Sequence, residues 1–400
     1  MISVHDLNWR HLLAVAQIGR SGALVAAAEA VHLSQPALTQ ALLRLELGLD
    51  APLFHRAPRG MTPTQAGELF IARIDRAAAA LAVGVVQTRR AARPPAENLV
   101  RRLSMSQLRA LSAVVRAGGF AEAARKLGLA QPSIHRAVRD LEALLDTPLV
   151  LRRGRGVTLT PAAHIFVRHA GLARAELTAG LDEMAALKTE SGGRIVVGAM
   201  PLARSGLLPR TLSTFCRDHP ATTVRVVEGP YEDLLAGLLA GDIDLLVGAA
   251  RSPSPSDAVQ QSPLFEDRLA IFGRPQHPLA GSARISPRAL AAFPWAIAPR
   301  DTPLHEQWER LFAGLPPPVS QVECSAVETT RGLLLDGDWL TLVYPDQLRI
   351  EEAAGLLIRI GQGGYGDARQ IVATTRNDWS PTAQQAAFLV ALKAAAIDRS

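Results

Sequence analysis

Residues 27–40 read Ala27-Ala28-Glu29-Ala30-Val31-His32-Leu33-Ser34-Gln35-Pro36-Ala37-Leu38-Thr39-Gln40. The alanines allow a helix to pack closely, and His32-Leu33 supplies a tight turn. Ser34 is a good N-cap, and Pro36 falls in the first helical turn, where a missing N–H costs nothing. A helix is therefore expected from about Gln35 to Leu47. An earlier helix buries Leu12, Val15 and Ile18 at helical spacing. Two helices joined by a short turn, the second opening with polar residues, form the helix-turn-helix that lays its second helix in the major groove of duplex DNA.

Working outward, Leu7–Phe70 aligns without a gap on Leu103–Phe166 at an offset of 96 residues, with 24 of 64 positions identical. Matched blocks include Gly22 with Gly118, Ala27-Ala28 with Ala123-Ala124, Gln35-Pro36 with Gln131-Pro132, and Leu45-Glu46 with Leu141-Glu142. A unit of that size holds several elements of its own, so this is a duplicated domain rather than a short solenoid repeat. In the second copy the first helix is expected to bury Leu108, Leu111 and Val115. After each recognition helix, Pro52–Thr62 and Pro148–Thr158 read as small hairpin wings with Gly and Arg at the tip.

These residues resemble the winged helix-turn-helix of LysR-type bacterial transcriptional regulators. The family pattern of Ala-Ala, Ser-Gln-Pro-Ala-hydrophobic-Ser, Leu-Glu, Leu-Phe-x-Arg and Leu-Thr-x-Ala-Gly is met by Ala27-Ala28, Ser34–Thr39, Leu45-Glu46, Leu53-Phe54-His55-Arg56 and Thr64-Gln65-Ala66-Gly67. The family normally carries one such domain, so the duplication is a departure. The second copy is more altered, with Ala130 for the capping Ser, His135 for Ser or Thr, Val150 for Phe and Ala163 for Gly. Losing the cap should cost about 1 kcal/mol of local helix stability.

The resemblance and the chemistry of the side chains nominate DNA contacts. In the first copy they are Ser34, Gln35, Pro36, Thr39, Gln40, Arg44, Arg56 and Arg59. In the second they are Gln131, Pro132, Ser133, His135, Arg136, Arg139, Arg152, Arg153 and Arg155. Glutamine suits adenine edges, and wing arginines suit phosphate or the minor groove. A lone Gln in a first turn is more often simply solvated, but inside a full motif the odds reverse. Leu45-Glu46 reads as structural. The first copy's sparse charge also fits a packing module, so which copies touch DNA stays open.

Charge supports the division of labour. Residues 1–190 carry 24 Lys and Arg against 15 Asp and Glu, whereas residues 191–400 carry 19 against 22. A basic first half fits a polyanionic partner. The helix after wing one, Gln65 to about Thr88, ends at Arg89–Pro95, whose prolines open a basic connector. The helix after wing two, about Pro161 to Lys188, carries the stripe Phe166, Ala170, Ala173, Leu177, Leu181, Met184. In LysR-type proteins this helix pairs two subunits, so the resemblance implies a homodimer or higher homo-oligomer; packing within the chain is the alternative.

Beyond Ser191-Gly192-Gly193, apolar strands alternate with helices, as in a parallel-rich α/β architecture. This resembles the LysR effector domain, a two-lobed fold similar to type 2 periplasmic binding proteins. The expected fold is two mainly α winged helix-turn-helix copies followed by that α/β domain. Domain boundaries are copy 1 at 1–65, helix and linker at 66–102, copy 2 at 103–160, a dimerisation helix at 161–190 and the effector domain at 191–400. The lobes are about 191–272 plus 360–400, and 273–359.

Ligands of parallel lobes lie at carboxyl ends of strands and at helix N-termini. That rule selects Met200, Pro201, Arg204, Ser205, Glu228 and Gly248 in one lobe and Arg300, Thr302 and Ser325 in the other. Arg204 or Arg300 could hold a carboxylate or phosphate, or serve in a surface ion pair. Gly229–Leu234 and Phe293-Pro294-Trp295 resemble the branch regulating sugar-binding protein genes. The effector is expected to be a small molecule, a sugar or small organic acid.

Other classes fare worse. Two cysteines, Cys216 and Cys324, make neither a disulfide framework nor a thiolate zinc site, and no cofactor motif appears. The longest near-apolar run, Ala77–Val86, is too short to span a bilayer, and the start carries no signal peptide, so the chain reads as cytoplasmic. No Ser-His-Asp, Walker or dinucleotide motif supports an enzyme. A constitutive DNA-architectural protein is the alternative to a ligand-responsive regulator.

Overall fold

The computed structural model describes residues 2–57, 60–89, 94–153, 156–189, 192–200, 203, 206–251, 253–254, 256–300, 302–318, 320–362 and 364–397, without the side chains of 152, 153, 156, 188, 189 and 367. Arg59, Arg155, Pro201, Arg204 and Ser205, and the side chains of Arg152 and Arg153, therefore lie outside the described residues.

The first copy runs α1 (Trp9–Ser21), α2 (Leu24–Ala30), α3 (Gln35–Leu49), a hairpin β1 (Phe54–Ala57) and β2 (Gly60–Pro63), then α4 (Gln65–Thr88). A short α5 (Ala96–Val100) leads into the second copy, with α6 (Met105–Ala117), α7 (Phe120–Leu127), α8 (Gln131–Leu145), β3 (Val150–Arg153), β4 (Gly156–Leu159) and α9 (Pro161–Thr189). The repeat extends to backbone conformation. Left-handed φ values recur at Gly22 and Gly118 (65° and 69°), His32 and Gly128 (54° and 64°), and Asp50 and Asp146 (49° and 50°). Each stands just after a helix, where a left-handed residue lets backbone N–H groups close the last turn. His32 does so at a conformational cost that Gly128 avoids. The inward third residue of α6 is Val114, the counterpart of Ile18; Val115, expected there, is only partly buried.

A single apolar core joins the two copies. Helices α4 and α9 pack side by side, burying Phe70, Ile74, Ala77, Leu81 and Val85 against Phe166, Ala170, Ala173, Leu177 and Met184. The stripe of α9 assigned to a second subunit is thus already covered inside the chain. At the centre Arg73, whose side chain is 5% exposed, donates to Glu183 (3.0 Å) and Glu176 (2.8 Å) on α9 and to the Ser380 carbonyl (2.9 Å). Burial acts to lower its pKa, but the two carboxylates more than offset this and leave it raised.

The second half contains one nine-stranded sheet. Its elements are β5 (Arg194–Ala199), α10 (Leu207–Asp218), β6 (Thr223–Glu228), α11 (Tyr231–Leu239), β7 (Leu245–Ala249), β8 (Val259–Gly273), α12 (Pro287–Leu290), β9 (Trp295–Ile297), α13 (Pro303–Leu311), β10 (Gln321–Glu323), α14 (Val327–Asp336), β11 (Leu340–Val343), α15 (Arg349–Ala353), β12 (Ile358–Arg359), β13 (Tyr365–Arg376) and α16 (Ala383–Ile397). Parallel pairing holds β6-β5-β7 in one lobe and β10-β9-β11 in the other. The two long strands β8 and β13 run antiparallel through both lobes, pairing with β11 at one end and β7 at the other. The lobes therefore change over inside these strands. Leu269–Phe272, placed by the sequence with the first lobe, lies beside β11 and β12 in the second.

The halves are tied together. Asp242 receives Arg116 (2.8 Å) from α6 and Arg174 (2.5 Å) from α9, while Arg76 of α4 donates to the Asp378 carbonyl. Nearby on α9, burial pushes the Asp182 carboxyl up to about 6 although it accepts the Arg194 N–H. Its folded pKa lies above the unfolded value, so the folded state binds the extra proton between about pH 4 and 6 and stability falls as pH rises through that window. Asp182→Asn keeps an acceptor without the charge. It is expected to raise stability by about 1–2 kcal/mol at pH 7.5, after allowance for solvent screening, and much less at pH 4.5. Urea titrations at both values check this, and equal effects would refute the assignment.

Candidate DNA interface and effector cavity

In α3, Ser34 accepts from the Ala37 N–H (3.4 Å) as the N-cap, and Pro36 lies in the first turn. Gln35, Pro36, Gln40 and Arg44 are exposed along the outer face and Thr39 is half-buried; its hydroxyl donates to the Gln35 carbonyl (3.0 Å). In α8, Ala130 gives no side-chain cap, as its identity required. Gln131, Pro132, Ser133, Arg136 and Arg139 are exposed, while His135 is half-buried and packs at a tilt against Phe120, with ring centroids 5.0 Å apart. Each copy's nominated helix residues thus lie along the first three turns of its recognition helix, most of them exposed.

The Leu-Glu pair is structural, as read. Glu46 accepts the Leu53 N–H (2.8 Å), and Glu142 accepts those of Leu149 (2.8 Å) and Val150 (2.9 Å), fixing each wing to its recognition helix. Each of these carboxylates also draws one nominated arginine, Arg56 at 3.8 Å from Glu46 and Arg139 at 3.6 Å from Glu142. Both arginines remain more than half exposed, so they stay available to a stronger anion.

A cavity of about 590 Å³ opens between the lobes of the second half. Three helix beginnings contribute to its wall: Gly229–Glu232 at α11, Pro299 and Thr302–Leu304 at α13, and Cys324, Ser325 and Val327 at α14. The positive ends of the three helix dipoles therefore face this wall. Arg251 lies 4.4 Å over the Tyr231 ring, a cation–π contact, and Gln261 pins its backbone through bonds of 2.9 and 3.0 Å. Burial pushes the Tyr231 hydroxyl pKa up. Arg369 lines the same space, and both guanidinium residues are half-buried, whereas the lining carboxylates Glu232 and Glu306 are exposed. Behind the wall, Asp346 of the second lobe accepts the Leu207 N–H (3.0 Å) at the start of α10 in the first.

Of the nominated effector residues, Met200, Thr302 and Ser325 line the cavity. Thr302 also caps α13, accepting from His305 (3.3 Å) and donating to Pro299 (2.6 Å). Three nominated residues do not line it. Glu228 is exposed at the end of β6. Gly248 is a packing glycine, since a Cβ there would strike the Met200 side chain. Arg300 is 83% exposed and faces Glu323 at 3.6 Å, the surface ion pair that was its alternative reading.

Comparison with known proteins decides the family. The profile "LysR substrate binding domain" matches residues 188–396, and "Bacterial regulatory helix-turn-helix protein, lysR family" matches twice, at 9–68 and 105–164. The chain belongs to the LysR family. It is similar to the "HTH-type transcriptional regulator GalR" of Pseudomonas putida, at 29% identity over 378 residues and 93% of each chain, a match long enough to run through both copies. Against "HTH-type transcriptional regulator PcaQ" of Agrobacterium fabrum, identity is 24% over 74% of this chain and 96% of the relative. Among solved structures, ArgP from Mycobacterium tuberculosis shares the fold at TM-score 0.57 and 18% identity, covering 73% of this chain and 97% of that one. CbnR with its target DNA does so at TM-score 0.50 and 23% identity, covering 72% and 98%.

As a LysR regulator, the protein pairs a DNA-binding helix-turn-helix region with an effector-binding domain. No helix among the described residues is long and apolar enough to cross a membrane. The sequence reading missed Tyr231, Arg251, Gln347 and Arg369. Tyr231 and Arg251 stand only two or three residues past segments that the strand-end rule selected. Arg369 lies on the crossing strand β13, where no such rule applies. The Trp295 that suggested a sugar-related branch is core: it is fully buried, and its Nε1–H donates to the Leu290 carbonyl (3.0 Å).

Proposed function

We propose that this LysR regulator senses a small organic acid in the cleft between its lobes and reads DNA with both helix-turn-helix copies. The observation that carries the effector class is the depth ordering of charge: two half-buried guanidinium groups and three helix beginnings inside, with carboxylates exposed. Met200, Tyr231, Arg251, Ser325 and Arg369 are the residues proposed to hold the ligand. A cavity of this size between lobes favours a ligand-responsive regulator over a constitutive architectural protein. The family is in general non-enzymatic, and a regulator that reads DNA would work beside the chromosome in the cytoplasm. A homodimer would use a surface other than the covered face of α9.

A thermal-shift screen of small carboxylates tests the effector class. A true effector raises the melting point of the wild type, and Arg369→Ala is expected to abolish that rise. A ligand that stabilises both proteins equally would move the site elsewhere. For DNA, Arg56→Ala on the first wing should flatten the slope of log K against log salt by roughly 0.9 for each phosphate that is no longer neutralised. An unchanged slope would show that Arg56 meets no phosphate.

A further inference from the structure

Helices α4 and α9 do more than cover each other. Their contacts run antiparallel and are exchanged by the repeat itself. A Cβ on Gly84 would lie 2.7 Å from the Cβ of His169, and a Cβ on Gly180 would lie 3.2 Å from the Cβ of Arg73. The offset of 96 that relates the copies turns Gly84 into Gly180 and Arg73 into His169, so the two contacts are one contact made twice. The buried pairs Phe70 and Phe166, Ala77 and Ala173, and Leu81 and Leu177 follow the same relation. The lead-in segments are exchanged too: residues 4–6 rest on α9, and α5, before the second copy, rests on α4. Contacts in which residue i meets j while j's equivalent meets i's are the mark of a twofold interface.

We propose that one chain is a complete DNA-reading unit with internal pseudo-twofold symmetry, whose target is an inverted repeat with two different arms. This rests on the reading that both copies contact DNA. One arm meets Gln35, Thr39, Gln40 and Arg44, and the other meets Gln131, His135, Arg136 and Arg139. The first set favours adenine edges through its glutamines, and the second adds guanine contacts through its arginines. The arms should lie about 10 base pairs apart centre to centre, or at a multiple of that.

Two experiments on the full chain test this. Duplexes are selected from a random pool by wild type, by Gln35→Ala with Gln40→Ala, and by Arg136→Ala with Arg139→Ala. The expected result is that each variant loses preference in one arm of the same inverted repeat, the opposite arm for each, by roughly 5- to 150-fold. Loss in both arms from one variant overturns the proposal. The second experiment needs no DNA, so it still decides the pairing if no duplex is enriched and the DNA reading itself fails. With Cys216→Ser and Cys324→Ser, the pair Gly84→Cys and His169→Cys is oxidised. Gln87→Cys with His169→Cys is treated with a short bismaleimide, because the native side chains meet at 3.0 Å. A crosslinked monomer in either is expected. A covalent dimer, or no crosslink in both variants while they melt cooperatively, overturns the internal pairing.

Discussion

Replacing Arg73 by alanine is expected to destabilise the protein by about 3–5 kcal/mol, because it strips a buried carboxylate of its cation. Glu176 would keep Arg76, whose Nε stands 3.0 Å away, but Glu183 has its guanidinium bonds from Arg73. Glu183 is therefore the group left with an unmatched charge. The double variant Arg73→Met, Glu183→Gln should recover most of the loss, since neutral groups of similar volume replace the pair while Glu176 keeps Arg76. Urea unfolding of the three proteins measures this. A loss below about 1 kcal/mol for Arg73→Ala would mean that water reaches the cluster and that the α4–α9 contact is looser than described.

The second large effect concerns removal of residues 1–98. That truncation takes away α4 and leaves Phe166, Ala170, Ala173, Leu177 and Met184 of α9 without the apolar face that covers them. Each large apolar side chain returned to water costs roughly 1.5–3 kcal/mol, so the truncated protein should bury the stripe against a second copy or aggregate. Sedimentation should show wild-type particles and truncated particles of different stoichiometry, the truncated form gaining chains per particle. A truncated protein with unchanged association state and stability would contradict the packing. Comparing footprints of full-length and truncated protein would for the same reason mix weaker DNA binding with altered assembly, whereas Gln35→Ala with Gln40→Ala leaves the core intact.

The elements of both winged helix-turn-helix copies were legible because local chemistry specifies them. Ser34 caps, Pro36 starts, Gly22 and Gly118 stop, and Glu46 and Glu142 have fixed geometric tasks. The partner of α9 was not legible in the same way. A stripe at helical spacing states which face is apolar, and several partners satisfy it equally. Only the register, with Gly84 under His169 and Gly180 under Arg73, singles out α4. In the effector domain the parallel strands stand out as apolar runs, but β8 does so only over Leu269–Phe272. Its earlier stretch, Gln260–Arg268, mixes polar residues along a half-exposed crossing strand. Arg369 was hidden for the same reason. The Gly241–Leu245 segment is scaffold, with Asp242 gripping Arg116 and Arg174 and Asp244 accepting the Val196 N–H at 2.7 Å.

These contacts offer a physical route between the two activities. Asp346 bridges the lobes behind the cavity, Arg73, Arg76 and Arg174 join the first lobe to the paired helices α4 and α9, and Arg116 joins it to α6 of the second copy. A ligand that favours one lobe arrangement over another must therefore act on those helices by its differential affinity for the two states.

The most direct measurement is the affinity of the full-length protein for its selected operator, at fixed salt, with and without the carboxylate found by thermal shift. The account predicts a change of about 5- to 150-fold in affinity, with Arg369→Ala binding the same operator but giving no change. A ligand that occupies the cleft and stabilises the protein, yet leaves operator affinity unchanged in the wild type, would contradict it.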